Sequence, residues 1–107
     1  MNIKEYAYAA KEFDIHPEDS AGDFAVAFGL ASECGEVMGK ISKAIRDGWE
    51  LDQFKKMVSY ELGDMFWYAC ILMLRAGIDP DEVLQDNIVK LADRKKRGKI
   101  QGSGDTR

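Results

Sequence analysis

The chain has 107 residues, with 19 acidic and 15 basic side chains and a formal net charge of −4. This length suits one domain, expected to span residues 1–107. An apolar share of 46% excludes wholesale disorder, and two cysteines are too few for a disulfide framework. The longest apolar run, residues 65–74, is about half the length of a membrane span. We therefore expect a cytoplasmic protein without a membrane partner.

The apolar spacing predicts helices throughout, beginning with two that differ in length. Helix 1 is expected over residues 3–13, with Asn2 as its cap. Helix 2 is expected over residues 23–46 and is stopped by residues 47–49. Steps of three and four along helix 2 predict a packing seam. Its members are Ala27, Ala31, Cys34, Met38, Ile41 and Ile45.

Helix 3 is expected over residues 51–76, ended by Gly77, and its second half is unusually apolar. Residues 65–74 are apolar on every side of the helix. Such a helix must pack against neighbours on every side, and the other three helices of one chain are too short to bury it fully. We therefore predict a homo-oligomer, a dimer or a tetramer, that completes a four-helix, bundle-like all-α fold.

Helix 4 has the clearest start in the chain and leads into a basic tail. Asp79 is the expected cap, Pro80 takes the first helical position and Glu82 completes a predicted capping box. The helix should end near Arg97, leaving residues 98–107 as a flexible tail. Residues 90–107 hold seven basic side chains and two acidic ones, whereas the rest of the chain is acidic. A solvated helix end and a phosphate-binding tail both fit this pattern.

Two pairs of acidic residues stand deep inside the long helices, where a carboxylate is costly unless it is paired or bound to a metal. They are Glu33 with Glu36, and Glu61 with Asp64. With the turn of an antiparallel hairpin centred at residues 48–49, Glu36 comes level with Glu61 and Glu33 with Asp64. Residues three apart share a helix face, so the four carboxylates are expected to converge.

An all-oxygen set of this kind fits a hard cation, above all Mg²⁺, with Mn²⁺ as a substitute. The alternative is a group of surface carboxylates paired with Lys40 and Lys43. A di-iron centre is disfavoured because the one histidine, His16, lies in a predicted loop. Cys34 and Cys70 are expected to be core residues rather than metal ligands.

The acidic motifs also carry a family resemblance. Residues 30–36 (LASECGE) and 60–64 (YELGD) resemble the signature of the MazG-like nucleoside triphosphate pyrophosphohydrolases. Residues 87–94 (NIVKLADR) are similar to the basic helix of that family. The ending GSGD at 102–105 resembles the tails of its short, single-domain phage and bacterial members. The resemblance covers about residues 24–107.

The resemblance implies an all-α enzyme that hydrolyses (deoxy)nucleoside triphosphates to monophosphate and pyrophosphate with Mg²⁺, in nucleotide-pool house-cleaning or adjustment. A phage-encoded member would act in the host cytoplasm. Catalysis and metal binding are implied for Glu33, Glu36, Glu61 and Asp64. Substrate contacts are implied for Lys40, Tyr68, Asn87, Lys90 and Arg94.

The charges suggest how such a reaction would proceed. Metal ions would offset the phosphate charge, and Glu36 or Glu61 would accept a proton from the attacking water. No glycine-rich phosphate loop matches the known motifs, so the basic helix and tail are expected to contact the distal phosphates. The alternative is a non-enzymatic oligomeric helical module that binds nucleic acid or an acidic partner through its basic C-terminal segment. The acidic net charge makes nucleic acid the less favoured partner.

Overall fold

The computed structural model describes residues 1–107 and contains four α-helices and no strand. The predicted all-α, four-helix architecture is therefore confirmed. None of the helices has the unbroken apolar length that a bilayer crossing needs. The helices are α1 (Ile3–Lys11), α2 (Ser20–Asp47), α3 (Leu51–Arg75) and α4 (Pro80–Lys96).

Short polar side chains set the starts of the first two helices. Asn2 and Glu5 form a capping box on α1. Asp19 accepts a hydrogen bond from the N–H of Gly22 and starts α2 before the predicted Asp23. The prediction was wrong here because it followed the apolar spacing, and the first turn of α2 is small and polar.

One further boundary and one predicted capping box need correction. Helix α1 ends at Lys11 rather than at Phe13, because the next N–H groups bond to carbonyls three residues back and tighten the chain into a turn. At α4, Asp79 accepts from the N–H of Asp81 and does not form the predicted capping box with Glu82. The predicted helix stops are confirmed, since Gly48, Gly77 and Gly98 follow α2, α3 and α4 with positive φ.

Helices α2 and α3 form the long antiparallel hairpin that the sequence predicted. A close approach sets their register: a Cβ on Gly29 would overlap the ring of Tyr68. Gly29 and Tyr68 lie at equal distances from the predicted turn centre, so the predicted register is also confirmed.

The predicted seam on α2 was wrong by one residue. The face that packs within the chain carries Val26 and Val37, whereas Met38 and Ile45 of the predicted seam are 63% and 80% exposed. Both faces of α2 are apolar, and spacing alone cannot tell which one meets the neighbouring helix. The chain thus keeps an exposed apolar stripe on α2, formed by Phe24, Phe28, Ala31, Cys34, Met38 and Ile45.

The first helix closes the core over the hairpin. Ala10, Val26 and Ile71 form its centre, and the indole N–H of Trp67 donates to the carbonyl of Ala10 at 3.1 Å. Below them Arg75 donates to the carboxylates of Asp14 and Asp23 and to two loop carbonyls. These bonds tie the loop between α1 and α2 to the end of α3.

The C-terminal part of helix α4 projects away from the other three helices. It packs against α1 and α3 but not against α2, and beyond the buried Pro80 its apolar residues Leu84 and Ile88 are 45% and 63% exposed. The radius of gyration is accordingly 16.7 Å, against about 13 Å for a compact domain of this length. Only 11 of 107 residues are buried, which is a small core for the chain.

The two cysteines differ in exposure. Cys70 is fully buried, as predicted, and burial raises the pKa of its thiol. Cys34 is exposed on the apolar stripe, so the prediction that it is a core residue was wrong within the single chain. Both thiols are free.

Candidate metal centre

Three carboxylates meet in the middle of the hairpin. Glu33 comes from α2, and Glu61 and Asp64 come from successive turns of the same face of α3. One oxygen from each residue lies within 4.8 Å of the others. Glu33 and Glu61 are partly buried and Asp64 is exposed, so the group sits at the surface with one open side. We call these three residues the acidic cluster.

The acidic cluster carries unbalanced charge. Burial, together with the negative charges of Asp64, Glu61 and Glu36, raises the pKa of Glu33 above its ordinary value. Carboxylates at this spacing repel one another, and a bound cation would remove that repulsion. The electrostatics of the cluster therefore favour a positively charged ligand.

Glu36, the fourth predicted acid, stands one turn along α2 at the edge of the cluster. It is exposed and lies outside the closest group of three, yet it is near enough to raise the pKa of Glu33. This is the position of a group that could accept a proton or hold a further ion.

Lys40 partly balances the cluster. Its Nζ lies 3.7 Å from Oε1 of Glu61, and the two side chains are 21% and 16% exposed. Lys43 forms no ion pair with the cluster. Of the two lysines that the alternative prediction paired with the carboxylates, only Lys40 does so. One loose ion pair leaves most of the negative charge available.

Aromatic side chains flank the carboxylates. Phe13, Trp67 and Tyr68 line an open hollow of about 450 Å³ together with Glu33 and Asp64. The rings of Trp67 and Tyr68 meet edge to face with centroids 4.9 Å apart. Tyr68 was predicted from the resemblance, whereas Phe13 is the last residue of predicted helix 1 and was missed as a site residue. Its place just beyond the end of α1, opposite α3, is what exposes it to this hollow.

A second hollow of about 470 Å³ lies at the other end of the core, around Arg75. It contains none of the cluster carboxylates. Four acidic residues line it: Asp14 and Asp23 bond to Arg75, Asp19 caps α2, and Glu18 forms no ion pair.

The predicted substrate residues of α4 lie elsewhere. Asn87 and Lys90 are exposed on the part of α4 that leaves the body, and Arg94 is 5% exposed beneath residues 98–107. Because α4 does not touch α2, a single chain does not bring these three residues to Glu33. The structure brings together Glu33, Glu61, Asp64, Lys40 and Tyr68, with Glu36 at the edge.

Comparisons with known proteins agree with the family resemblance of the acidic motifs. A family model described as the MazG nucleotide pyrophosphohydrolase domain matches residues 25–98, which include the whole acidic cluster and all of α4. The Gene 37 protein of Mycobacterium phage L5 is 37% identical over 116 residues, and the match covers all of both chains. No solved structure matches the chain.

Proposed function

The chain belongs to the MazG nucleotide pyrophosphohydrolase family, and we propose that it hydrolyses (deoxy)nucleoside triphosphates to the monophosphate and pyrophosphate in a Mg²⁺-dependent reaction. The observation that carries this proposal is the acidic cluster, in which Glu33, Glu61 and Asp64 offer oxygens within 4.8 Å of one another. The role we propose is the clearing or adjustment of nucleotide pools.

The donor set fits a hard divalent cation. All three side chains supply oxygen, which Mg²⁺ prefers, and Mn²⁺ can replace it. One oxygen from each side chain lies within 4.8 Å of the others, so side-chain rotation would let the three carboxylates hold one ion between them. We propose Glu33, Glu61 and Asp64 as ligands, with Glu36 as a ligand or proton acceptor. A bound cation would supply charge neutralisation at the phosphates and a lower pKa for the attacking water.

The reaction we propose is direct attack of water near the α–β linkage. The oxygen of water forms a bond to the α-phosphorus, the bond from that phosphorus to the bridging oxygen breaks, and pyrophosphate leaves. Glu36 is our candidate to take the proton, because Glu61 is one of the three proposed metal ligands. No covalent enzyme intermediate is required.

The substrate residues fall into two groups. Tyr68 and Lys40 border the cluster and are positioned to contact the nucleotide. Asn87 and Lys90 would reach it only if α4 of a neighbouring copy lies over the hairpin, and Arg94 would act through the loop that covers it. We therefore propose a homo-oligomer, a dimer or tetramer, whose interface covers the apolar stripe on α2. The small core and the exposed residues of that stripe support this assembly.

A panel of nucleoside triphosphates tests the function. Pyrophosphate release should require Mg²⁺ and should disappear in Glu33→Gln, while the circular dichroism of the variant stays that of a helical fold. The matched control is Glu50→Gln, since Glu50 is exposed and makes no side-chain cap bond. Full activity of Glu33→Gln would refute the metal assignment. Binding of nucleic acid without turnover of any nucleotide would favour the non-enzymatic module instead.

A further inference from the structure

Residues 98–107 fold back onto the end of α4 with their carbonyl groups turned toward arginines. Arg107 donates from Nε to the carbonyl of Lys99 at 3.1 Å, from one terminal nitrogen to Ile100 at 3.0 Å and from the other to Gly104 at 2.7 Å. Arg94 donates to the carbonyl of Asp105 at 2.7 Å and, more weakly, to Gly104 at 3.4 Å. Guanidinium groups thus occupy the inside of this segment.

The amide groups of the same segment are left free. None of the backbone N–H groups from Ile100 to Arg107 donates to a carbonyl of the chain, and residues 100–106 are exposed. Gly102 and Gly104 have φ values of 139° and 85°. Successive backbone N–H groups in a turn, when they have no acceptor within the chain, can bind an anion.

The guanidinium buried under the loop forms no ion pair, although the loop itself carries the acidic side chain of Asp105. Arg94 is 5% exposed, its Nε has no hydrogen-bond partner, and neither Arg94 nor Arg107 forms an ion pair with a carboxylate. A buried cation without an opposite charge is unfavourable, and an anion bound over it would relieve the imbalance. The loop and the arginine beneath it therefore point to the same class of ligand.

We propose that the loop Gly102–Asp105 is a phosphate-binding site, in which the unpaired backbone N–H groups bind phosphate oxygens and Arg94 and Arg107 hold the loop in shape. Its use for the distal phosphates of a nucleotide rests on the proposed function, whereas anion binding itself does not. Such a site differs from the known glycine-rich phosphate motifs, because arginine side chains build it from below.

A substitution at Gly102 is the most specific test of the loop conformation. A Cβ at this position would lie 2.9 Å from Cδ of Arg107 and 3.3 Å from its Nε, and an alanine would be strained at this φ. Gly102→Ala should therefore open the loop without removing a charge. Arg107→Ala should open it by removing three hydrogen bonds. Lys96→Ala is the control, because it removes one positive charge from the exposed last turn of α4 and leaves the loop intact.

The probe is inorganic pyrophosphate added to the full chain without metal, followed by calorimetry and by amide chemical shifts. Wild type should bind it with large shifts confined to residues 101–106. Binding should weaken at least about tenfold in Gly102→Ala and Arg107→Ala, because each loses charge-assisted hydrogen bonds, and about threefold or less in Lys96→Ala, a surface charge. Equal losses in all three variants, or unchanged loop amides in wild type, would overturn the proposal.

Further measurements distinguish a failure of the loop site from a failure of the proposed function. Glu33→Gln should lose nucleotide hydrolysis and still bind pyrophosphate at the loop. Shifted loop amides in a chain that hydrolyses no nucleotide would support the site and refute the enzyme. Hydrolysis with the same KM in wild type and Gly102→Ala would refute the site's use for substrate. A short single-stranded oligonucleotide that binds the loop more tightly than pyrophosphate would overturn the assignment to nucleotide phosphates.

Discussion

Lys40 on α2 faces Glu61 on α3 across the hairpin, with Nζ 3.7 Å from Oε1. The separation is long for a charge-assisted hydrogen bond, which is usually about 2.7–2.9 Å. Lys40 therefore acts on the acidic cluster through its charge more than through a fixed bond. A cation entering the cluster meets this positive charge as well as the carboxylates.

Removing that charge should tighten metal binding. We expect Lys40→Met to bind Mn²⁺ several-fold more tightly than wild type in the absence of nucleotide, since a unit charge about 4 Å away is worth about 1 kcal/mol in water-like surroundings. Titration calorimetry measures the change, and Lys43→Met is the control. If Lys40 also contacts phosphate, the same variant will have a raised KM for nucleotide. Unchanged metal affinity would show that Lys40 does not influence the cluster.

Gly29 should resist substitution although it lies within a helix. Alanine normally stabilises a helix interior by about 0.5–1 kcal/mol relative to glycine. At Gly29 the added methyl would overlap the ring of Tyr68, which borders the cluster. We expect Gly29→Ala to lower the free energy of unfolding by about 1–3 kcal/mol, the usual cost of overpacking. Urea denaturation measures this change.

Gly39 provides the matched control for that substitution, because a Cβ there meets nothing within 4 Å. Gly39→Ala should leave stability unchanged or raise it by up to about 1 kcal/mol. Equal effects of the two substitutions would contradict the close approach of α2 and α3 at Tyr68.

The contact between Asp14 and Arg75 should make the free energy of unfolding depend on pH below about pH 4. Burial alone would raise the pKa of Asp14, but hydrogen bonds from Arg75 and His16 outweigh it and hold the pKa at about 2. An unfolded aspartate titrates near 3.8. Because the pKa is lower in the folded state, the stabilisation is present above pH 3.8 and is lost as pH falls toward 2.

The contribution of this contact is about 2 kcal/mol at neutral pH, from the relation between a pKa shift and free energy. Asp14→Asn should lower the free energy of unfolding by about this amount at pH 7 and by much less at pH 2, as measured in urea. Asp47→Asn is the control, because the Arg46–Asp47 pair is largely solvated and should not change the urea midpoint. A loss in Asp14→Asn that is equal at both pH values would contradict the charge-based account.

The apolar stripe on α2 should control assembly. Met38 is 63% exposed at its middle, and Met38→Glu would place a charge in the proposed interface. We expect wild type to sediment as a dimer or tetramer at micromolar concentration and Met38→Glu to sediment as a monomer. Gln53→Glu, an exposed change on α3, should keep the wild-type state. A stable monomeric wild type would refute the proposed assembly.

Much of the architecture could be predicted from spacing and from helix-terminal residues. The hairpin register could be predicted because helices rise evenly from a known turn, and it brought Glu33 level with Asp64. The packing face of α2 could not be predicted in the same way. Val37 and Met38 are both apolar, and only contact with α3 decides which of them is buried.

The site was partly predictable for a similar reason. Side chains on the two paired helices, such as Glu61 and Lys40, follow from the register. Phe13 lies in a turn whose path depends on contacts made by Arg75 far along the chain, so local pattern could not place it. Lys90 lies on a helix whose position over the cluster would depend on a second copy.

The unequal environments of the two thiols give this chain a built-in reporter. Cys70 is buried and poorly ionised, so a maleimide dye would react with Cys34 alone. Cys34 lies on the apolar stripe, one residue from Glu33. Because the proposed interface covers this stripe, the rate of the reaction would fall as copies assemble, so Cys34 would report assembly in the unmutated sequence.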